Sequence, residues 1–226
     1  TYTWTIRDDV YFIDNKCFKD GKGRKVTVDD VIYSIKRFAD ANVNTNSYHV
    51  LLKDVIVGLD AFREKTKNDP KLDYAKAAVE GLKKVDASTF TMTLTKKNPL
   101  ALMPFAVSAL AVVPKESVDM YKDDFQHNPV GTGPYKMHKY DRRGVMVLKK
   151  NARYHGTYPS VGNADDKTAG RLSDAGKKLP FIDEVQLPLV EEAQPRMIKF
   201  KKGLIDWIGL DKTNFNQMAV NDDKGI

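Results

Sequence analysis

The chain has 226 residues, a formal net charge of +7 at pH 7 and a hydrophobic fraction of 42%, which excludes an intrinsically disordered segment. Its single cysteine, Cys17, excludes an intramolecular disulfide framework and a zinc site built from several cysteines. No run of 18 apolar residues is present, so the sequence predicts no membrane-spanning helix. The chain opens on Thr1 without a signal-peptide pattern, and we expect it to be a mature or excised segment of a longer protein.

The first predicted elements are a strand and a capped helix. Residues 1–7 alternate between apolar and polar side chains, which is the period of a half-buried strand. Residues 28–38 repeat apolar side chains at helical spacing, and Thr27 with Asp30 forms a capping-box pair at the start of this helix. Asp29 and Asp30 are adjacent on a helix and point in different directions, so capping explains them better than a catalytic pair of carboxylates.

The middle of the chain is predicted to combine short helical segments with one hairpin. Partly helical patterns cover residues 48–62 and 74–80. A hairpin is predicted over residues 81–94, where alternating strand patterns lie on both sides of a turn. Residues 100–110 are strongly apolar but contain Pro104, so we expect a short buried helix with irregular ends.

The last part of the chain is predicted to be mostly strands and one helix. A second hairpin covers residues 135–149, and the polar residues 156–178 indicate a long loop. The remaining elements are a strand, a helix and a strand, at residues 181–190, 191–202 and 204–208. Because hairpins are interleaved with helices without a regular βαβ alternation, we expect an α/β chain with a mixed α+β sheet.

The search for catalytic and metal-binding motifs is negative. The sequence contains no nucleophile elbow, zinc-protease helix, phosphate loop or dinucleotide fingerprint. The histidines have no metal-ligand spacing, and although Asp123, Asp124 and His127 share a predicted helix end, helix capping explains His127 more simply. Cys17 lies in a polar turn without a histidine nearby in sequence, which favours an incidental free thiol. We therefore expect no catalytic residue, no metal ion and no cofactor.

The positive charge is concentrated in two places. Between residues 139 and 153 there are six basic residues against one acid, and residues 196–202 form a second basic cluster. Such clusters are typical either of a surface that follows phosphates or of solvated turns and strand edges that carry lysine. No RNA-binding aromatic signature or zinc-finger spacing accompanies them, which favours the second explanation. A basic nucleic-acid-binding domain remains the alternative function.

Six segments of the chain match, in order, the landmarks of a known family. They are residues 2–12, 26–37, 85–94, 128–135, 151–154 and 202–206. The most specific are the helix Val-Thr-Val-Asp-Asp-Val-Ile-Tyr-Ser-Ile-Lys-Arg at 26–37 and the turn Asn-Pro-Val-Gly-Thr-Gly-Pro-Tyr at 128–135. The chain resembles the extracytoplasmic solute-binding proteins of ABC importers, in the peptide/nickel-binding family that includes the oligopeptide- and dipeptide-binding proteins. The loops at residues 13–25 and 156–178 are longer than the family pattern, which indicates a divergent branch.

The resemblance implies a two-lobed periplasmic-binding-protein fold, of which the chain covers most of one lobe. Residues 1–113 correspond to an accessory subdomain of that lobe and residues 114–226 to part of its main domain, with the second lobe absent. The implied function is to bind a peptide, or a related small solute, between the lobes and deliver it to a membrane permease without chemistry. We expect a monomer without nucleic acid, located in the periplasm or cell envelope, with a lipid anchor as one form of attachment.

One ligand-binding residue is implied by the resemblance. Family peptide binders place a tyrosine after the arginine-ending helix, and Tyr48 is the matching residue here. Its ring would line the cleft and its hydroxyl would bind the ligand backbone. The alternative is a tyrosine that packs against its own loop. The turn at residues 131–135 is expected to be structural.

Overall fold

A computed structural model describes residues 1–43 and 47–209 of the chain, together with residues 212 and 215. In this part of the chain the strands are β1 (Tyr2–Thr5), β2 (Leu82–Lys84), β3 (Thr89–Met92), β4 (Tyr135–Tyr140), β5 (Val145–Lys150) and β6 (Glu184–Pro188). The α-helices are α1 (Val28–Ala39), α2 (Tyr48–Leu51), α3 (Leu59–Asn68), α4 (Lys115–Tyr121), α5 (Ala164–Thr168) and α6 (Ala193–Lys201). Short 3-10 segments lie at Lys19–Gly21, Met103–Ala106, Ser108–Leu110 and Lys122–His127. None of the described helices combines the length and apolar character needed to cross a membrane.

The first sheet is antiparallel, with the strand order β1-β3-β2. Trp4 of β1 lies opposite Phe90 of β3, and their rings stack with centroids 6.2 Å apart. The hairpin between β2 and β3 closes on Asp86, whose carboxylate accepts the N–H groups of Ser88 and Thr89 at 2.7 and 2.8 Å. These contacts confirm the strand predicted at residues 1–7 and the hairpin predicted over residues 81–94.

The main hydrophobic core lies between this sheet and helices α1 and α3. The apolar face of α1 supplies Val28, Ile35 and Phe38, which expose 0%, 4% and 6% of their surfaces. Phe62 of α3 and Met92 of β3 belong to the same cluster. The periodicity predicted for α1 is therefore confirmed, because the residues at helical spacing are the ones that pack inward.

A second, smaller core forms around Phe12. It is made of the buried side chains Phe12, Ile13, Phe18, Val26 and Val130. The backbone of this core is tightly packed at Gly23, where an added Cβ would lie 2.0 Å from the carbonyl oxygen of Phe12. Only glycine fits at this position, because real Cβ atoms do not approach a backbone oxygen so closely.

The described residues divide into two compact units. The first comprises Thr1–Lys136 and Lys149–Asp183, and the second comprises Met137–Leu148 and the described residues from Glu184 onward. The order β4-β5-β6 confirms the predicted second hairpin and the strand within 181–190. The predicted helix at 191–202 is confirmed as α6, which ends before Gly203 at a φ of +66°, a left-handed value that glycine adopts without strain. The predicted subdomain boundary between residues 113 and 114 stays a prediction.

Two predicted elements are wrong in the described part of the chain. Residues 74–80 form a turn rather than a helix, because the Asp73 carboxylate accepts the N–H of Ala75 at 3.0 Å and so competes with helical hydrogen bonding. Residues 204–208 form no strand among the described residues, and Trp207 exposes 81% of its surface. A strand requires a neighbour for its backbone groups, and none of the described strands pairs with this segment.

Two further predictions need correction. Residues 100–110 are not a buried helix but contain two 3-10 turns, and Leu100 and Met103 expose 69% and 64% of their surfaces. Pro104, near the start of the first turn, lacks the N–H that a longer helix needs. The predicted loop at 156–178 contains the short helix α5, which Asn163 caps by accepting the Asp166 N–H at 2.8 Å.

Candidate functional site

A charged network joins the start of α1 to α4. The Arg24 guanidinium donates two hydrogen bonds to Asp30, at 2.7 and 2.8 Å, and two to Glu116, at 2.6 and 2.8 Å. Asp30 is 4% exposed and also accepts the Thr27 N–H at 2.9 Å. These hydrogen bonds lower the pKa of Glu116 and raise the pKa of Arg24, because each favours the charged form of its partner.

This network confirms the structural interpretation of Asp29 and Asp30. Asp30 caps α1 and is bound by Arg24, whereas Asp29 pairs with Lys84 at 2.6 Å. The two carboxylates therefore have separate cationic partners and separate positions at the first turn of the helix. They hold elements together, and nothing in their arrangement resembles a shared acid-base site.

An open groove with a volume of about 1100 Å³ runs along the polar face of α1. We call it the α1 groove. It is lined by Ile32, Tyr33 and Lys36 of α1, by residues 70–75, 78 and 79, and by the start of α4. Apolar side chains and charged side chains both line it, which is the usual mixture in a ligand-binding pocket.

Tyr48, the ligand-binding residue predicted from the resemblance, is buried in the main core with 1% of its surface exposed. Its hydroxyl donates to an Asp60 carboxylate oxygen at 2.8 Å, and the Arg63 guanidinium lies 4.5 Å from the ring centroid. Burial raises the pKa of Tyr48, and the bond to Asp60 raises it further. The described residues thus give Tyr48 a packing role, and its contact with a ligand stays a prediction.

A smaller recess of about 400 Å³ lies beside Tyr11 and Arg153. The Arg153 guanidinium stacks on the Tyr11 ring at 4.4 Å and donates to the Gly23 carbonyl at 2.7 Å and to Asp14 at 3.1 Å. The turn at residues 151–154 is thereby fastened to the enlarged loop at residues 13–25. Sequence reasoning missed this role, because it counted Arg153 within a basic cluster and no local pattern indicates a partner 139 residues away.

The histidines and Cys17 form no centre in the described residues. His127 and Asp124 lie 2.9 Å apart at the end of a 3-10 segment. Within the described ranges, no group of three or more His, Cys, Asp or Glu side chains is arranged to hold a metal ion. Cys17 is half-buried, and burial raises the pKa of its thiol, which lowers the fraction of the reactive thiolate.

The basic residues between 139 and 153 include side chains with acidic partners. Lys150 lies 3.6 Å from Asp183, and Arg153 lies 3.1 Å from Asp14. These ion pairs join segments distant in sequence, so the two basic side chains contribute to tertiary contacts within the chain. No observation on the described residues favours the nucleic-acid alternative.

Comparison with known proteins identifies the family. The model for bacterial extracellular solute-binding proteins, family 5 middle, matches residues 1–226. The chain belongs to this family. The predicted resemblance is therefore confirmed.

Curated relatives of the chain include peptide-binding proteins. The chain is 31% identical over 166 residues to the dipeptide-binding protein of Escherichia coli K12, covering 71% of this chain and 28% of that protein. It is 28% identical over 164 residues to the periplasmic oligopeptide-binding protein OppA of Salmonella typhimurium, covering 72% of this chain and 27% of OppA. The chain thus spans less than a third of the length of the curated relatives it matches.

Solved structures of similar fold cover nearly all of the chain. The Escherichia coli murein tripeptide binding protein MppA superposes with a TM-score of 0.70 at 20% identity, over 99% of this chain and 37% of MppA. OppA of Burkholderia pseudomallei superposes with a TM-score of 0.68 at 19% identity, over 98% of this chain and 37% of that protein. These similarities confirm the predicted fold class, an α/β portion of a peptide-binding-protein fold.

Proposed function

We propose that the protein is the substrate-binding component of an ABC importer and binds peptides for delivery to a membrane permease. The observation that carries this proposal is the family 5 match over the whole chain, supported by relatives named for dipeptide and oligopeptide binding. The chain spans 28% and 27% of the length of those relatives. Peptide binding is therefore proposed for the whole protein on the basis of its family, and not for these 226 residues alone.

The described residues suit a supporting role in such a receptor. The Arg24 network and the two cores fasten α1, α4 and the Phe12 region to each other, so this part of the protein presents a fixed surface. Preorganisation of this kind reduces the cost of ordering side chains when a ligand binds. We propose further that the protein is a monomer without enzymatic activity, acts outside the cytoplasm, and is free in the periplasm or attached to the envelope by a lipid anchor.

Calorimetry on the full-length protein tests peptide binding. Peptides of two to five residues are titrated, with free amino acids, a sugar and Ni²⁺ as controls. We expect one peptide length to bind with a Kd in the micromolar range or below, and to stabilise the protein by about 2.7 kcal/mol at a hundredfold excess over Kd. Binding of Ni²⁺ or the sugar without binding of any peptide would refute the peptide proposal.

The proposed ligand contact of Tyr48 has its own test. Tyr48→Phe removes the hydroxyl and retains the ring, and Tyr121→Phe is the matched control, because the Tyr121 hydroxyl also donates to a side chain, Asn15, at 2.7 Å. If Tyr48 contacts the peptide, Tyr48→Phe weakens peptide binding by about tenfold and Tyr121→Phe does not. Equal affinities in both variants would leave Tyr48 with the packing role alone.

A further inference from the structure

The α1 groove contains a buried lysine that has no ion-pair partner within 4 Å among the described residues. Lys36 exposes 8% of its surface, and its ammonium donates one hydrogen bond, to the Tyr74 carbonyl at 2.8 Å. No carboxylate of the described residues lies within 4 Å of this ammonium, and its other contact is with the Phe62 ring at 5.9 Å. An ammonium has three N–H donors, so two donors of a buried positive charge are unused.

The groove also contains a hydroxyl that makes no hydrogen bond with the described residues, that of Tyr33. Tyr33 lies three residues before Lys36 on α1, so the two side chains are neighbours on one helix face, and both line the groove. Its ring packs on Tyr74 with centroids 5.5 Å apart, while its hydroxyl makes no hydrogen bond with the described residues. Burial raises the pKa of Tyr33 to about 12, so the hydroxyl carries its proton at neutral pH and is available to donate.

Several other charged groups along the groove have partners of their own. Asp29 pairs with Lys84 at 2.6 Å, and Lys115 pairs with Asp119. The Asp40 carboxylate accepts the Tyr74 hydroxyl on one oxygen and the Asn42 amide groups on the other. Asp73 accepts the Ala75 N–H. Burial lowers the pKa of Lys36, and the charge of Asp73 raises it. The Lys36 ammonium and the Tyr33 hydroxyl still have unused donors, and donors of this kind at a buried ammonium favour an anion.

We propose that the α1 groove binds a small organic carboxylate, held by the Lys36 ammonium and the Tyr33 hydroxyl. Ile32, Leu72, Val79 and Leu82 also line the groove and would contact the apolar part of such a ligand. The groove volume of about 1100 Å³ is that of a small-molecule pocket. The carboxylate would form an ion pair with the Lys36 ammonium, and the apolar part of the ligand would bury apolar groove residues away from water.

This site does not depend on the proposed peptide-binding function. The groove is formed entirely by residues of the first unit, between α1, α4 and residues 70–79. A peptide that binds between two lobes would use residues outside this segment as well. The two sites are therefore expected to be measured as separate binding events, with separate responses to substitution.

The experiment uses hexanoate as the probe and hexan-1-ol as its uncharged control, with saturation-transfer NMR on the full-length protein. Lys36→Met removes the charge and retains the apolar stem, and Tyr33→Phe removes only the hydroxyl. Lys67→Met is the matched control, because Lys67 pairs with Glu64 at 2.6 Å and neither residue lines the groove. Each variant is also titrated with the peptide that binds the unsubstituted protein.

We expect hexanoate to bind with a millimolar Kd, hexan-1-ol to bind more weakly, and Lys36→Met to weaken hexanoate binding by about tenfold. Tyr33→Phe should weaken it by about fivefold, and Lys67→Met should leave it unchanged. Absence of hexanoate binding at about 10 mM, or equal binding in all three variants, overturns the proposal. Retained hexanoate binding without any peptide binding would refute the proposed function alone.

Discussion

Replacing Arg24 with methionine tests whether the charged network stabilises the start of α1. The substitution removes the guanidinium and keeps an apolar stem of similar length. Four hydrogen bonds of 2.6–2.8 Å to carboxylates are lost, together with one to the Lys25 carbonyl at 3.2 Å. Asp30, which is 4% exposed, would retain only the N–H and hydroxyl of Thr27, both at 2.9 Å. A buried carboxylate would then have lost its counter-charge.

The expected magnitude follows from the burial of the three groups. Breaking a fully buried ion pair from one side costs about 3–5 kcal/mol. The side chains of Arg24 and Glu116 are 36% and 39% exposed. Water would therefore partly solvate the Glu116 carboxylate after Arg24 is replaced, which reduces the cost of the substitution. We therefore expect Arg24→Met to lower the free energy of opening of α1 by about 2–3 kcal/mol.

Arg7→Met is the matched control, because Arg7 makes the same kind of bidentate contact at the surface. Its guanidinium donates to both carboxylate oxygens of Asp9, at 2.9 and 2.7 Å. The two side chains are 62% and 49% exposed, and ion pairs of this kind contribute little to stability. We expect no measurable effect of Arg7→Met on the protection of α1.

Hydrogen exchange followed by mass spectrometry on the full-length protein measures this local stability. A loss of 2–3 kcal/mol corresponds to amide exchange in α1 that is faster by about 30- to 150-fold. Peptides covering β4 and β5 should exchange at their usual rate in the same sample. Equal protection of α1 in the Arg24 and Arg7 variants would show that burial of Asp30 does not determine the strength of the network.

Three further predictions concern packing, hydrogen bonding and pH. Gly23→Ala should destabilise the protein by about 3 kcal/mol or more in thermal unfolding, whereas Gly131→Ala, where no atom lies within 4 Å of an added Cβ, should change stability by less than about 0.5 kcal/mol. Tyr48→Phe should cost about 1–2 kcal/mol, because a carboxylate loses its donor, and thermal unfolding with and without this hydroxyl measures the loss. The pKa of Glu116 is lowered in the folded state, so its stabilising contribution is present above pH ~4.5 and is lost as the pH falls through the lowered value. The protection of α4 amides, measured relative to their intrinsic exchange rate at each pH, should therefore fall on acidification, and a Glu116→Gln variant should lack this loss.

Elements with local sequence signals were predicted from the sequence. The capping pair of Thr27 and Asp30 is three residues apart, and the turn at Asp86 is closed by hydrogen bonds to residues two and three positions later. Such contacts form within one turn of chain, so the residues that make them are visible together in a short window. The predicted α1 helix and the first hairpin were correct for this reason.

Contacts between distant segments were not predictable in this way. Arg24 and Glu116 are 92 residues apart, and Arg153 and Asp14 are 139 residues apart. A single sequence gives no indication of which carboxylate a given arginine will meet, and the composition of residues 139–153 favoured solvated charges. The helix predicted at residues 74–80 failed for a related reason. The turn at Asp73 brings Tyr74 over α1, where its carbonyl accepts the Lys36 ammonium, so a tertiary contact outweighs the local helical pattern.

The geometry around Tyr48 restricts how that residue would bind a peptide. A tyrosine hydroxyl has one donor and two acceptor lone pairs, and the donor is used by Asp60 at 2.8 Å. A peptide carbonyl would therefore have to displace Asp60, which also accepts the Asp54 N–H at 3.0 Å and would lose its other donor. A peptide N–H, in contrast, would donate to the phenolic oxygen without breaking this bond. Since Tyr48 is 1% exposed, either contact also requires the surrounding side chains to open, and that cost reduces the affinity such a contact adds. The proposed contact is therefore with a backbone N–H of the peptide and accompanies a local rearrangement.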